Sequence, residues 1–364
     1  MSLPMMTLVI NTRCNQECAY CPPMGESHMC SPGHLNFLDA QILARMALEQ
    51  GVNRFRISGG EPLLHREINS FALLGKELKS KGASVYLNTN GVLLHKFEKV
   101  ITPESFTSLR ISLDSLEQEK YRKITGTNTL LRVLQNIKHA KEQGHSIDLI
   151  MVVMQYNFNE IEAMINFCVE NDIGLKLSDL ERHQYDTQEL WKNQYVSLEH
   201  IRSFLEKKAI KVKPVVGDFG MEMIDYYIDG VQIRVKDSFR SAVYTDFCKA
   251  NCDMFPCAEG VYSILVKADG SISWCKRNES VVVANRKIRD EADFLKYFKP
   301  LKTSIRLNHL ESQSESFKHS SLKNNEQLLP IFWVDADVSH GYYDQNKKHD
   351  FRFTGGQKKF GRDL

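Results

Sequence analysis

No uninterrupted apolar run in the 364-residue chain approaches 18 residues, which excludes a transmembrane helix. The opening MSLPMMTLVINTRC has no basic region and no small-residue cleavage site, so no secretory signal is expected there. An excess of one charge is also missing. Forty-seven Lys and Arg against 45 Asp and Glu leave a net +2, too little for an electrostatic footprint on nucleic acid or an anionic membrane. With 42% apolar and 25% charged residues, the chain can bury a sizeable core. A cytoplasmic protein of two domains and a tail is expected.

Cysteine is the residue in good supply. Nine fall at 14, 18, 21 and 30, singly at 168, and at 248, 252, 257 and 275. An odd number in a reducing compartment argues against a disulfide framework and for two metal or metal–sulfur sites. Cys168 lies with Ile161, Met164, Ile165 and Val169 at helical spacing and reads as core.

Strand-like runs at Met6–Ile10, Phe55–Ser58, Val85–Asn88, Leu109–Leu113, Ile147–Met154 and Leu175–Ser178 alternate with helix-like stretches at 38–50, 66–82, 92–106, 128–144 and 158–172. Gly51, Gly82, Gly144 and Asn171 stand where helix C-caps are expected. Such alternation predicts parallel βαβ units, as an open doubly wound sheet or an incomplete (β/α) barrel, with ligands at the C-terminal strand ends. Beyond about residue 190 come a helix (198–208), β-like pieces at 210–216 and 231–235, and a hairpin, YSILVKADGSISW, with Asp269-Gly270 expected as a type I′ turn. Residues 311–328 are polar and Ser-rich, a loop or linker.

Cys14-x3-Cys18-x2-Cys21 follows the first strand. Three thiolates on a short loop can hold three irons of a [4Fe–4S] cube and leave the fourth open for chemistry. The alternative is a closed zinc site with Cys30 as fourth ligand.

The run CNQECAYC resembles the signature of the radical S-adenosylmethionine (SAM) superfamily, and further matches occur in order. Gly59-Gly60-Glu61-Pro62 follows strand two, Thr89-Asn90-Gly91 ends strand three, and Ser112-Leu113-Asp114-Ser115 ends strand four. The segments SLDSLEQEKYRKITG and MVVM are similar to the GTP cyclase branch of molybdenum-cofactor biosynthesis. The resemblance covers about half of the chain. It implies an incomplete (β/α)6 barrel of the TIM type, an electron donor such as flavodoxin or ferredoxin, and hydrogen-atom abstraction by a 5′-deoxyadenosyl radical. Cys14, Cys18 and Cys21 would hold the cluster, while Tyr20, Gly59, Gly60, Glu61, Thr89, Asn90 and Ser112 would contact SAM. Glu61 offers a fixed negative charge for the SAM ammonium.

Cys248-x3-Cys252-x4-Cys257-x12-Gly270-x4-Cys275 is similar to the twitch or SPASM extension, a smaller α+β domain binding an auxiliary [4Fe–4S] cluster. A tetrahedral zinc site is the alternative. The resulting division is a core at 1–190, an auxiliary-cluster domain at 191–300, and a linker and tail at 301–364. Lys176, Asp179 and Glu181, near the end of strand six, are candidate substrate contacts.

Departures from the GTP cyclase point to a different substrate. Thr7 and Asp148 replace an arginine and a lysine, and Asp253-Met254-Phe255 replaces an arginine-rich segment. A small polar metabolite, a nucleotide or sugar derivative other than GTP, is expected. The rivals are a ribosomal-peptide maturase, disfavoured by the few residues before strand one, and a non-catalytic Fe–S or zinc protein.

Overall fold

Alternation of helix-facing apolar residues with polar ones builds six strands: β1 (Met6–Val9), β2 (Arg54–Ser58), β3 (Ser84–Thr89), β4 (Ser108–Ser112), β5 (Ile147–Val153) and β6 (Gly174–Asp179). The helices among and after them are α1 (Phe37–Glu49), α2 (Ile68–Ser80), α3 (Gln118–Thr125), α4 (Leu130–Glu142), α5 (Ile161–Asn171), α6 (Glu189–Gln194) and α7 (Glu199–Lys208). Then follow β7 (Lys211–Val216), β8 (Glu222–Ile228), β9 (Val231–Lys236), β10 (Ile264–Val266), β11 (Ile272–Ser273) and β12 (Val282–Ala284). The computed structural model describes residues 5–22, 25–27, 33–181, 189–216, 222–237, 250, 263–273, 275, 282–284 and 292. All belong to the unit Met1–Leu310. Cys30, Cys248, Cys252, Cys257, Met254, Phe255 and the linker and tail lie outside the described residues.

The described strands form one twelve-stranded sheet in the order β12-β11-β10-β1-β2-β3-β4-β5-β6-β9-β8-β7. Pairing is parallel from β10 through β1 to β6 and on to β9. This is the α/β sheet of an incomplete (β/α)6 barrel, with later strands joined to both of its edges. Thr7 and Ser263 share a hydrogen bond across 256 sequence positions where β10 joins β1.

One face of the sheet, carrying Leu8, Ile57, Leu87, Leu109, Leu149, Leu177 and Ile233, packs with the helices into a single core. Alternate residues face the other way, and along β3, β5 and the start of β6 these are half-buried rather than buried. That side of β3, β5 and the start of β6 is therefore partly accessible and mixes polar residues such as Asn88, Asp148 and Lys176 with Ile150 and Val152.

Helix boundaries follow recognisable chemistry. The Asn36 side chain accepts from the Leu38 and Asp39 N–H groups to start α1. Gly51, Gly82 and Gly144 take positive φ as expected, but the left-handed residue after α5 is Asp172 (φ 50°), not Asn171. No long helix forms at 92–106. Only a 3-10 turn, Leu94–Lys96, is present, and Pro103 bars continuation from the preceding turn. Helix α3 has a largely polar sequence; Tyr121, Ile124 and Thr125 are its buried residues. The hairpin at Asp269-Gly270 also differs from expectation. Gly270 (φ 84°) is left-handed and Asp269 is not, and Gly270 N–H donates to Lys267 O at 2.8 Å. This is a type I turn with a glycine bulge, since type I′ needs two positive φ values. The type I′ pair is Asp229-Gly230 (φ 47° and 85°), joining β8 to β9.

Asn157, fully buried beyond β5, donates to Asp114 O (2.8 Å) and Val152 O (2.9 Å) and accepts from Met154 N–H (2.8 Å). It fixes the ends of β4 and β5 together. Asn157→Ala leaves these groups without partners and is expected to cost about 3 kcal/mol of stability. Urea denaturation checks this; a loss below about 0.5 kcal/mol would contradict it.

Candidate functional site

The loop carrying Cys14, Cys18 and Cys21 leaves β1 at the C-terminal rim and is held on two sides. Toward β2, Gly60 N–H donates to Asn11 O (2.9 Å) and Glu61 N–H to Arg13 O (2.7 Å). A Cβ on Gly59 would lie 2.7 Å from Asn11 O, and one on Gly60 would lie 2.3 Å from Arg13 O. Two glycines are required because the cysteine loop's own backbone occupies that space. Toward α3, Glu17 N–H donates to Thr125 O and Ala19 N–H to Ile124 O, at 3.0 and 2.8 Å.

Glu61 is completely buried. Its carboxylate accepts from Thr89 Oγ1 (2.7 Å), Asn90 N–H (2.8 Å) and Leu63 N–H (3.0 Å). Burial outweighs these bonds and pushes the carboxyl up to about 7. Beyond the charge it offers an ammonium, Glu61 joins the ends of β2 and β3. Asn90 extends the link, its amide donating to Asn15 Oδ1 (2.7 Å) and approaching Cys14 Sγ (3.8 Å). Asn11, not singled out from sequence, donates from Nδ2 to Glu61 O (2.9 Å).

Cys14 and Cys21 are exposed and Cys18 is half-buried. The thiols of Cys14 and Cys18 are raised, first by burial, and Cys18 also by the charges of Asp114, Cys21 and Cys14. Cys18 thus lies within electrostatic reach of both Cys14 and Cys21. Among the described residues no three His, Cys, Asp or Glu side chains converge on a point where one metal ion would sit.

Tyr20 donates to Asp114 Oδ2 (2.8 Å), and Val152 N–H donates to Asp114 Oδ1 (2.8 Å). Burial raises Asp114 to about 6 and Tyr20 well above its usual range. Tyr20 also packs beside Ile124, Met154, Leu180, Tyr195 and Trp191, an apolar and aromatic wall at the rim. Ser112 is half-buried at the end of β4. Ser115, from the same motif, instead donates to the buried Glu160 carboxylate at 2.9 Å.

The β6 candidates separate. Lys176 is half-buried, Asp179 is buried, and Glu181 accepts from Lys236 Nζ at 2.8 Å. Lys236, on β9, was not legible as a site residue because nothing in sequence places β9 beside β6. Of the second cysteine group, Cys275 is described: it is buried after β11, its N–H donating to Ser273 Oγ (3.2 Å).

Comparison with known proteins accords with this geometry. Residues 8–168 match the radical SAM superfamily. The GTP 3′,8-cyclase of Petrotoga mobilis is 27% identical over 305 residues, 82% of this chain and 92% of that protein. The probable GTP 3′,8-cyclase of Methanothermobacter thermautotrophicus is 29% identical over 79% of this chain and 90% of its own. In fold, the chain resembles Streptococcus suis SuiB bound to S-adenosylmethionine (TM-score 0.55, 16% identity, 82% of this chain and 67% of that one). Native anSMEcpe with bound AdoMet gives a TM-score of 0.54 at 16% identity, covering 84% of each chain. Among the described residues no helix is long and apolar enough to cross a membrane.

A raised carboxyl fixes the sign of a pH effect. The folded state holds the Glu61 proton more tightly than the unfolded chain does, so stability falls as pH rises from about 4.5 to about 7. In metal-free protein the Glu61 contribution to that fall is expected to be about 3 kcal/mol. Glu61→Gln should remove the larger part of the slope, leaving that of Asp114. Urea midpoints at the two ends of the range test this, and equal slopes in both proteins would contradict it.

Proposed function

We propose, from the premise that this chain is a radical SAM enzyme, that Cys14, Cys18 and Cys21 hold a [4Fe–4S] cluster on which SAM is bound and cleaved. The observation that carries this is the seating of the cysteine loop against the Gly59-Gly60-Glu61 turn on one side and Asn90 on the other. When bound there, the cluster supplies the electron that splits the sulfonium C–S bond of SAM and yields a 5′-deoxyadenosyl radical.

The surrounding residues have separable tasks. Gly59 and Gly60 admit the loop, and Glu61 holds the rim and presents negative charge where an ammonium would be neutralised. Thr89 and Asn90 orient that carboxylate, Ser112 contributes a hydroxyl to the SAM face, and Tyr20 with its aromatic neighbours excludes water from the radical. Lys176 faces substrate from the inner side of β6, with Asp179 at the strand's end and Glu181 just beyond it as further contacts. Cys248, Cys252, Cys257 and Cys275 hold an auxiliary [4Fe–4S] cluster in a twitch or SPASM-like domain at 191–300, following the core at 1–190 and preceding the linker and tail at 301–364. Electrons come from a flavodoxin or ferredoxin in the cytoplasm.

The substrate in this reading is a small polar nucleotide or sugar derivative, and hydrogen-atom abstraction starts its conversion. The curated relatives named as nucleotide cyclases favour a small molecule over a peptide. GTP itself is disfavoured by two polar positions already engaged elsewhere. Thr7 Oγ1 accepts from Arg56 Nε (3.2 Å), and the Asp148 carboxylate accepts from Ser108 Oγ (2.7 Å).

Two outcomes follow. Anaerobically reconstituted, reduced protein should convert SAM to 5′-deoxyadenosine and methionine and hold about eight irons, of which the Cys14, Cys18, Cys21 triple alanine variant loses about half. Absence of 5′-deoxyadenosine from protein shown to hold the cluster would overturn the proposal. Incubation with SAM and GTP should yield no cyclised pterin precursor above background by mass spectrometry, whereas steady turnover of GTP would refute the substrate argument.

A further inference from the structure

We infer that Lys267 and Arg110, with Asn88 between them on the barrel's inner face, form the seat for an anionic group of the substrate, a phosphate or a carboxylate. The inference rests on reading the barrel interior as the substrate chamber.

The seat follows from register. Leu8 pairs with Val266, so the next rung sets Val9 beside Lys267. Val9 pairs with Ser58, Ile57 pairs with Leu87 so that Ser58 stands beside Asn88, and Asn88 pairs with Arg110. Lys267, Ser58, Asn88 and Arg110 therefore share one rung and one face. That face is the inner one, because the intervening Val266, Leu8, Ile57, Leu87 and Leu109 belong to the helix-packed core. Adjacent strands in a sheet are about 4.8 Å apart, so Asn88 and Arg110 are immediate neighbours, while Lys267 stands on the same rung three strands from Asn88, a span of about 14 Å that its long stem and a bound anion would bridge.

The groups on this rung have unmet needs. Lys267 is 1% exposed, and among the described residues its ammonium makes no hydrogen bond or ion pair. Burying a cation without an anion is costly, and a protein retains such a group where something else supplies the counter-charge. The Asn88 Oδ1 atom is buried without a hydrogen-bond partner. Arg110 lies with its guanidinium 3.7 Å over the Tyr86 ring, which leaves its N–H edges available. The neighbouring acid on the rung, Asp148, accepts from Ser108 Oγ (2.7 Å) and keeps its charge, so Lys267 and Arg110 together leave the rung one positive charge in excess. Two cations and an unpaired amide oxygen make a seat that takes an anion with a hydroxyl or N–H group beside it. Two other inner-face cations are already paired: Arg234 bidentately with Asp225, and Lys236 with Glu181.

The test uses the reconstituted full-length holoenzyme and Lys267→Met, which keeps the buried stem and removes the charge. Calorimetric titration employs inorganic phosphate, pyrophosphate and succinate, so phosphate and carboxylate recognition are read separately. The wild type should bind one of these classes with Kd below about 1 mM, and Lys267→Met should weaken it about tenfold or more, while exposed Lys96→Met leaves it unchanged. Without ligand, Lys267→Met should melt a few degrees higher, since an unpaired buried charge has been removed. Binding of none of the three anions by the wild type, equal affinity in both proteins, or a lower melting temperature in the variant would each overturn the inference. So would a loss of SAM affinity in place of anion affinity, which would move Lys267 to the methionine carboxylate. The SAM-cleavage reading fails separately, if wild-type protein makes no 5′-deoxyadenosine whatever its anion affinity.

Discussion

The buried carboxylate of Glu61 organises the rim. It takes hydrogen bonds from the end of β3 and from its own turn, and its main chain is gripped by Asn11 and Arg13 from the cysteine loop. Three segments distant in sequence thus meet at one group that is expensive to bury. Cys14, Gly60 and Asn90 stand in fixed relation because this carboxylate cannot move without stranding its donors. The glycine pair serves the same constraint, since any side chain there would push the cysteine loop away. A motif that reads as a ligand contact in sequence is also the joint that holds the cysteine loop.

Much of the barrel was legible because its strands obey period two and its helices period 3.6, and because strand-end motifs fall at regular intervals. What escaped had specific causes. Helix α3 has a polar sequence and little apolar stripe to detect, whereas 92–106 has apolar residues at helical spacing but meets Pro103. At the site, the cysteines and the glycine turn were readable as local patterns. Asn11, Lys236 and the bond between Tyr20 and Asp114 were not, because these partners lie on separate elements that only the fold brings together. The same holds for β9 and β10, whose neighbours in the sheet are remote in sequence.

The two faces of the sheet divide the labour between stability and function. The helix side is aliphatic and continuous, so the fold does not depend on the polarity of the other side. Freed from packing, the inner face carries serine, asparagine, arginine and lysine at half-buried positions. Loss of local stability at an unpaired polar residue there is absorbed by the large core behind it.

The strand partnership between β1 and β10 has a consequence for how the protein is made. Since the Thr7 hydroxyl meets Ser263 across 256 positions, the free edge of β1 waits for most of the described chain to emerge from the ribosome. The barrel core with its cysteine loop can assemble while that edge is still open, because the contacts to β2, β3 and α3 come from earlier residues. During this interval β1 has a partner on one side alone, and its other edge offers unpaired backbone groups to water until β10 arrives.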